Sequence, residues 1–318
     1  MNAIKQPHKS TAQRQLRKFC RSLVKNYELI LFVLPAVVIV YLFKYVPIYG
    51  IQIAFKNFLP ALGIDKSPWV GLKHFNRFFN SYNFTVTIRN TLTLNIFSLI
   101  CCFPLPVILA LLINTLRNGR YKRFVQQVTY MPYFISTVVL VGMFNLLLSP
   151  QRGLYGALMN LLGVVSPIDP NTAPAAFRPV FIGTSIWQTT GFNSIIYLAA
   201  LSAVDPCLHE AAMVDGASRL KRVWYIDLPT LIPTIVILFI LDCGSIMNVG
   251  FEKAFLLQNK VNISTSEVIS TYVYKVGLQS AQYSFSAAVD LFNTVVNFII
   301  LMGVNWLSRK ASRNSYGL

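Results

Sequence analysis

Residues Asp205 to Pro233 read DPCLHEAAMVDGASRLKRVWYIDLPTLIP. Asp205 followed by Pro206 predicts a helix start, with the carboxylate capping free backbone N–H groups and proline at the first helical position. The helix is expected to run through Glu210, Ala211, Ala212 and Met213, and Asp215-Gly216 marks a turn. A second short helix is expected from Ala217 to Tyr225, ending before Leu228-Pro229, where a long apolar run begins. The small residues Ala211, Ala212, Gly216 and Ala217 allow another protein's backbone to approach closely. Met213, Val214 and Leu220 offer apolar contact, and Glu210, Arg219, Lys221 and Arg222 a polar rim. On this pattern alone, a docking knob and an amphipathic turn on lipid headgroups fit equally well.

What flanks the stretch is apolar. Hydrophobic residues make up 54% of the 318, charged residues only 12%, and the mean hydropathy is +0.53. A soluble domain carries about 25% charged residues, so much of this surface does not face water. A helix needs roughly 20 apolar residues to cross a bilayer, and six runs qualify: about 28–47, 91–116, 130–148, 180–201, 231–250 and 290–307. They lack the alternation of a membrane barrel, and helices satisfy their own backbone in lipid. The expected fold class is therefore all-α integral membrane, with six transmembrane helices. The run from Leu29 to Val46 is long and no small-residue cleavage site follows it, so it reads as a retained anchor. Pro104, Pro106, Gly142, Gly191 and Gly244 interrupt the runs, mostly as kinks, and favour a moving bundle over an inert anchor.

Basic residues orient the bundle. With both termini inside, residues 1–27, 117–129, 202–230 and 308–318 hold 17 Lys and Arg in 80 positions, against 10 in 113 for the outer segments 48–90, 149–179 and 251–289. The excess inside is the pattern cytoplasmic loops show. The expected organisation is a basic cytoplasmic N-terminal tail (1–27), a membrane domain (28–307) and a short cytoplasmic C-terminal tail (308–318). The net charge of +17 thus follows from topology, and no nucleic-acid-binding motif accompanies it.

Other chemistries find little purchase. Cys20, Cys101, Cys102, Cys207 and Cys243 avoid the outer segments, so no disulfide framework is expected. His8, His74 and His209 are scattered, and no metal-ligand spacing occurs. No glycine is followed by lysine, so there is no phosphate-binding loop of the G-x-x-x-x-G-K-[ST] kind.

Glu210-Ala211-Ala212, Asp215-Gly216-Ala217 and Leu228-Pro229 together resemble the EAA loop of binding-protein-dependent ABC importer permeases. The likeness extends through YVPIYGIQIAFKNF (Tyr45 to Phe58), SPWVGLKHF (Ser67 to Phe75), FPLPVILALLIN (Phe103 to Asn114), YMPYFIS (Tyr130 to Ser136) and YSFSAAVDLFNTVVN (Tyr283 to Asn297). These resemble the aldouronate- and alginate-oligosaccharide branch of type I sugar importers. Asp290 departs from it, where a small residue is expected. The resemblance implies that Glu210, Ala211, Ala212, Asp215, Gly216 and Ala217 form a coupling helix that docks on an ATPase. It also implies a second homologous permease subunit, two copies of an ABC ATPase carrying ATP and Mg, and an extracytoplasmic solute-binding protein. The chain itself is expected to bind no cofactor, to be no enzyme, and to sit in the bacterial inner membrane. The substrate so implied is an oligosaccharide, preferably acidic and uronate-containing.

Sugars offer apolar faces and polar edges, so aromatic, amide and hydroxyl side chains inside the runs are pathway candidates. These are Trp187, Gln188, Asn193 and Tyr197, then Asp242, Ser245 and Asn248, then Asn293 and Asn297, four residues apart on one helix face. An aspartate at mid-bilayer costs about 2.5–3.5 kcal/mol on insertion scales and should face the bundle or a wet cavity; Asp242 fits. The competing reading of such amides is as bonds between neighbouring helices. An ion-coupled secondary transporter of a polar solute would need a relay of intramembrane charges, and only Lys44, Asp242 and Asp290 qualify. A membrane-embedded enzyme lacks clustered acids or histidines.

Overall fold

The computed structural model describes residues 25–116, 119–164 and 166–311. Most of the expected basic N-terminal tail and the end of the C-terminal tail lie outside the described residues. Among the described residues the chain is helical apart from loops and a single antiparallel bridge between Lys56 and Trp69. Four helices have the length and hydropathy to cross a membrane: Tyr27–Phe55, Tyr82–Thr115, Arg219–Gly244 and Tyr283–Lys310. Two bent pairs raise the number to six when each is one span: Arg120–Phe134 with Thr137–Leu147 (98°), and Phe177–Leu201 with Pro206–Val214 (79°). In chain order they correspond to the six apolar runs, with corrected boundaries.

The corrections have several causes. The second span begins at Tyr82 instead of near 91, after Ser81, whose hydroxyl accepts from the Phe84 N–H. Its first turns look too polar for lipid, yet Thr87, Asn90 and Thr91 are fully buried. The Asn90 amide donates to the carbonyls of Ser264 (3.0 Å) and Glu267 (3.1 Å), and the Thr91 hydroxyl accepts from the Ile269 N–H (3.0 Å). The last span likewise starts at Tyr283 instead of near 290, so Asp290 lies two turns inside it on an exposed face. The third span is broken: Pro132 ends its first part in a tight turn at Met131–Phe134, and Ser136 caps a new helix from Thr137.

Span five is longer at one end and shorter at the other. The expected stop before Pro229 does not occur, because Arg219–Arg222, a π-turn at Val223–Asp227 and Leu228–Gly244 form one continuous rod. Proline within a helix lacks an N–H and crowds the carbonyl four residues back. The widened turn, closed by the Leu228 N–H on the Val223 carbonyl, accommodates it. At its far end the rod stops at Gly244, and residues 245–250 are unwound instead of helical. There the Asn95 amide donates to the Ile246 carbonyl (2.7 Å), and the Asn297 carbonyl accepts from the Met247 N–H (2.9 Å).

Three buried clusters hold the bundle. Val107, Ala110, Tyr197, Leu201 and Leu231 join spans two, four and five; Leu94, Leu140, Phe177, Phe181, Ala254 and Val268 join spans two to four to the segment after span five. Phe78, Met247, Ile269, Phe285 and Val289 lock that segment to the last span. By contrast Tyr27–Val40 buries no residue at all, and its Phe32 is 89% exposed. Such a face suits lipid or another subunit, not water.

Gly191 is a close contact and not the kink expected of it: it sits within an unbroken helix, and an added Cβ would overlap the Thr129 carbonyl. Because backbone meets backbone, no rotamer change relieves the clash, and overpacking costs about 1–3 kcal/mol or more. Gly191→Ala is expected to lower the melting temperature in detergent, with Gly183→Ala, which has open space beside it, as the unaffected control. Asn297→Leu is also expected to lower it, since a buried N–H left without a partner costs about 1–3 kcal/mol. An unchanged midpoint would show that the Met247 N–H finds another acceptor.

Candidate functional site

Span four positions Asn193 and Tyr197 one turn apart on its inward face, while span five ends beside them with Asp242 and Ser245. These four and Asn248, on the unwound segment, line a cavity of about 600 Å³ together with Asn95, Ser98, Cys102 and Phe103 of span two. Phe192 adds an aromatic wall, stacked at 3.7 Å on Tyr133. The Ser98 hydroxyl is buried without a hydrogen-bond partner among the described residues. The cavity mixes amides, hydroxyls, one carboxylate and aromatic rings, the set that recognises a polar ring with apolar faces.

The other pathway candidates do not line this cavity; they hold its frame. The Gln188 amide donates to the Ile135 carbonyl at the break in span three (3.0 Å), and Trp187 packs edge-on against Phe144. The Asn293 amide donates to the Asn248 side-chain carbonyl (3.0 Å), and Asn297 holds Met247. Asn95, Ser98 and Cys102 were not singled out from sequence. Their spacing of three and four residues along one helix face was the available signal.

A second locus lies at the elbow Pro206–Val214. The Asp205 carboxylate accepts from the Cys207 N–H (2.9 Å) and caps the helix as its sequence predicts. The other end closes with the Ala217 N–H on the Ala212 carbonyl (2.8 Å) and the Gly216 N–H on the Met213 carbonyl (3.1 Å). This is a Schellman closure, and its left-handed residue is Gly216 at φ +76°. Gly216 is therefore required by the turn itself, beyond offering a small surface. Glu210, Ala211, Asp215 and Gly216 are exposed, Ala212 and Ala217 half-buried. Val214 stands 88% exposed and Leu220 73%, an apolar tip that none of the described residues covers.

The elbow is strapped to the rod behind it at one carboxylate. His209 Nε2 lies 3.2 Å from Asp227 Oδ1, and the Asn114 amide donates to the same oxygen (3.3 Å). Asp227 is 2% exposed and closes the π-turn of span five. The end of span two, the elbow and the start of span five thus meet at a single buried group. A push on the elbow reaches two spans without passing through a flexible linker.

Residues 102–313 match the family described as binding-protein-dependent transport system inner membrane component. The chain is 43% identical over 288 residues to the polygalacturonan/rhamnogalacturonan transport system permease protein YteP of Bacillus subtilis (strain 168), covering 91% of this chain and 89% of that protein. It is 40% identical over 290 residues to protein LplB of the same organism, covering 91% of each. Among solved structures it resembles a chain of a bacterial ABC transporter involved in the import of the acidic polysaccharide alginate. That match has a TM-score of 0.84 and 38% identity, and covers 92% of this chain and 99% of the other. A second match is to the bacterial alginate ABC transporter in complex with an alginate-pentasaccharide-bound periplasmic protein, with TM-score 0.84, 37% identity, and coverage of 94% and 99%. The type I importer permease fold read from the sequence is therefore the fold of this chain, and the ion-coupled transporter is set aside. The chain belongs to the binding-protein-dependent transport system inner membrane component family, as a multi-pass permease subunit of an ATP-binding-cassette transporter and not an enzyme.

Proposed function

We propose that this chain is one of two homologous permease subunits of an importer for acidic, uronate-containing oligosaccharides. The observation that carries the reading is its likeness, over nine-tenths of its length, to a permease chain of an importer of the acidic polysaccharide alginate. The relative YteP, named for polygalacturonan and rhamnogalacturonan, points to the same substrate chemistry, since galacturonan is a polymer of a uronic acid. Asn193, Tyr197, Asp242, Asn248 and Ser98 supply the polar contacts of the pathway, and Phe192 a ring face. A solute-binding protein delivers the sugar to the outer segments, and two ATPase subunits carrying ATP and Mg drive the cycle from inside. Glu210, Ala211, Ala212, Asp215, Gly216 and Ala217 form the docking helix, with Val214 at its apolar tip. Asp227 passes the motion on to spans two and five.

Copurifying the chain with its partner subunits and measuring which oligosaccharide stimulates ATP hydrolysis tests the reading directly. Glu210→Arg is expected to abolish saccharide-stimulated hydrolysis while the permease retains its melting temperature, because a reversed charge at a docked contact costs several kcal/mol. Stimulation at the wild-type level would overturn the coupling assignment. Gly216 variants are a poorer probe, since any side chain at φ +76° strains the turn by about 1–2 kcal/mol before docking is considered.

Orientation has its own test. Cys207 is exposed on the elbow. In a variant whose other four cysteines are serine, a membrane-impermeant maleimide should label it in inside-out vesicles and leave it unlabelled in intact spheroplasts. The reverse pattern would place the elbow outside and remove the coupling role.

A further inference from the structure

Lys253 is a buried cation for which the described residues supply no counter-charge. It sits on the short helix Phe251–Leu257 and is 8% exposed. Its ammonium donates to the Ser185 hydroxyl (3.1 Å) and lies 5.6 Å from the centre of the Phe181 ring. An ammonium has three donors, and those contacts occupy one of them plus a weak ring interaction. The ion pairs among the described residues are His209 with Asp227 and Lys275 with Glu267, so no carboxylate reaches Lys253. Its chain neighbour Glu252 is exposed instead of buried beside it. Burial pulls the Lys253 ammonium down to about 8, the direction expected of a charge taken from water without a partner.

Its position gives this uncompensated charge a use. The helix that carries it follows directly on residues 245–250, whose Ser245, Ile246 and Asn248 line the cavity. Ser185 lies two turns further from the elbow than Asn193 on the same helix. Cys102 of span two lines the same cavity. Lys253 does not itself line the cavity but lies behind the wall that Cys102 and residues 245–248 form, on the side away from the elbow. A buried charge of this kind is expensive to keep.

We propose that Lys253 is a specificity-determining residue of this permease, a fixed cation that pairs with a carboxylate of an acidic sugar entering the cavity. The inference rests on the acidic-oligosaccharide reading and adds the group that reads the charge. A carboxylate on the ammonium takes up a vacant donor in a water-poor site, where charge-assisted hydrogen bonds are strong. A neutral sugar of the same shape leaves the charge uncompensated and is disfavoured.

The test measures binding of a galacturonate oligomer, and of its fully methyl-esterified form of equal length, to the purified four-subunit complex without the solute-binding protein. Wild type is expected to prefer the acid by roughly tenfold, the size of one hydrogen bond to a charged group. Lys253→Met should erase that preference, and Lys253→Arg should keep it. Should Lys253→Met fail to assemble, Lys253→Gln, which retains a donor for Ser185, carries the same comparison. A Met or Gln variant that still prefers the acid overturns the proposal, as does equal weakening of both ligands, which would mark a structural role. A wild type that shows no preference overturns the acidic-substrate reading itself, before any substitution is considered.

Discussion

In lipid, a backbone N–H or C=O without a partner costs several kcal/mol, and the cavity of this molecule is framed by helices that break inside the bundle. Each break is met by a side chain placed for it. Gln188 takes the Ile135 carbonyl at the fracture in span three. Asn95 and Asn297 hold the two sides of the unwound turn after span five, and Asn90 with Thr91 pins the segment beyond it.

The same constraint sorts the polar residues of the bundle by role. Gln188 and Asn297 spend an amide group on backbone and lie outside the cavity, whereas Asn193, Tyr197 and Asp242 line it. Lys253 belongs with neither group entirely. It is buried like the frame residues, yet it holds more charge than its surroundings use.

At the elbow the requirement is stiffness. A cap at Asp205, a Schellman closure at Gly216 and the buried Asp227 leave little slack between the elbow's exposed face and the spans. The π-turn at Val223–Asp227 serves both ends of that argument. It lets Pro229 sit inside a continuous rod, and it ends on the carboxylate that His209 and Asn114 share.

How far the residues alone could lead follows from the range of each interaction. The six runs, the capped elbow and its glycine turn were legible in the sequence, because hydropathy, N-capping and left-handed backbone depend on residues a few positions apart. So was the family, carried by Glu210-Ala211-Ala212, Asp215-Gly216-Ala217 and Leu228-Pro229 in one loop. Span limits failed where Asn90 and Thr91 looked lipid-averse, since their partners lie more than 170 residues away. For the same reason only the tertiary structure separated Asn193 from Asn297, and gave His209 and Lys253 their neighbours. An amide or an ammonium looks the same in any sequence, and what it does is decided by which backbone, carboxylate or empty space the fold brings to within 3 Å of it.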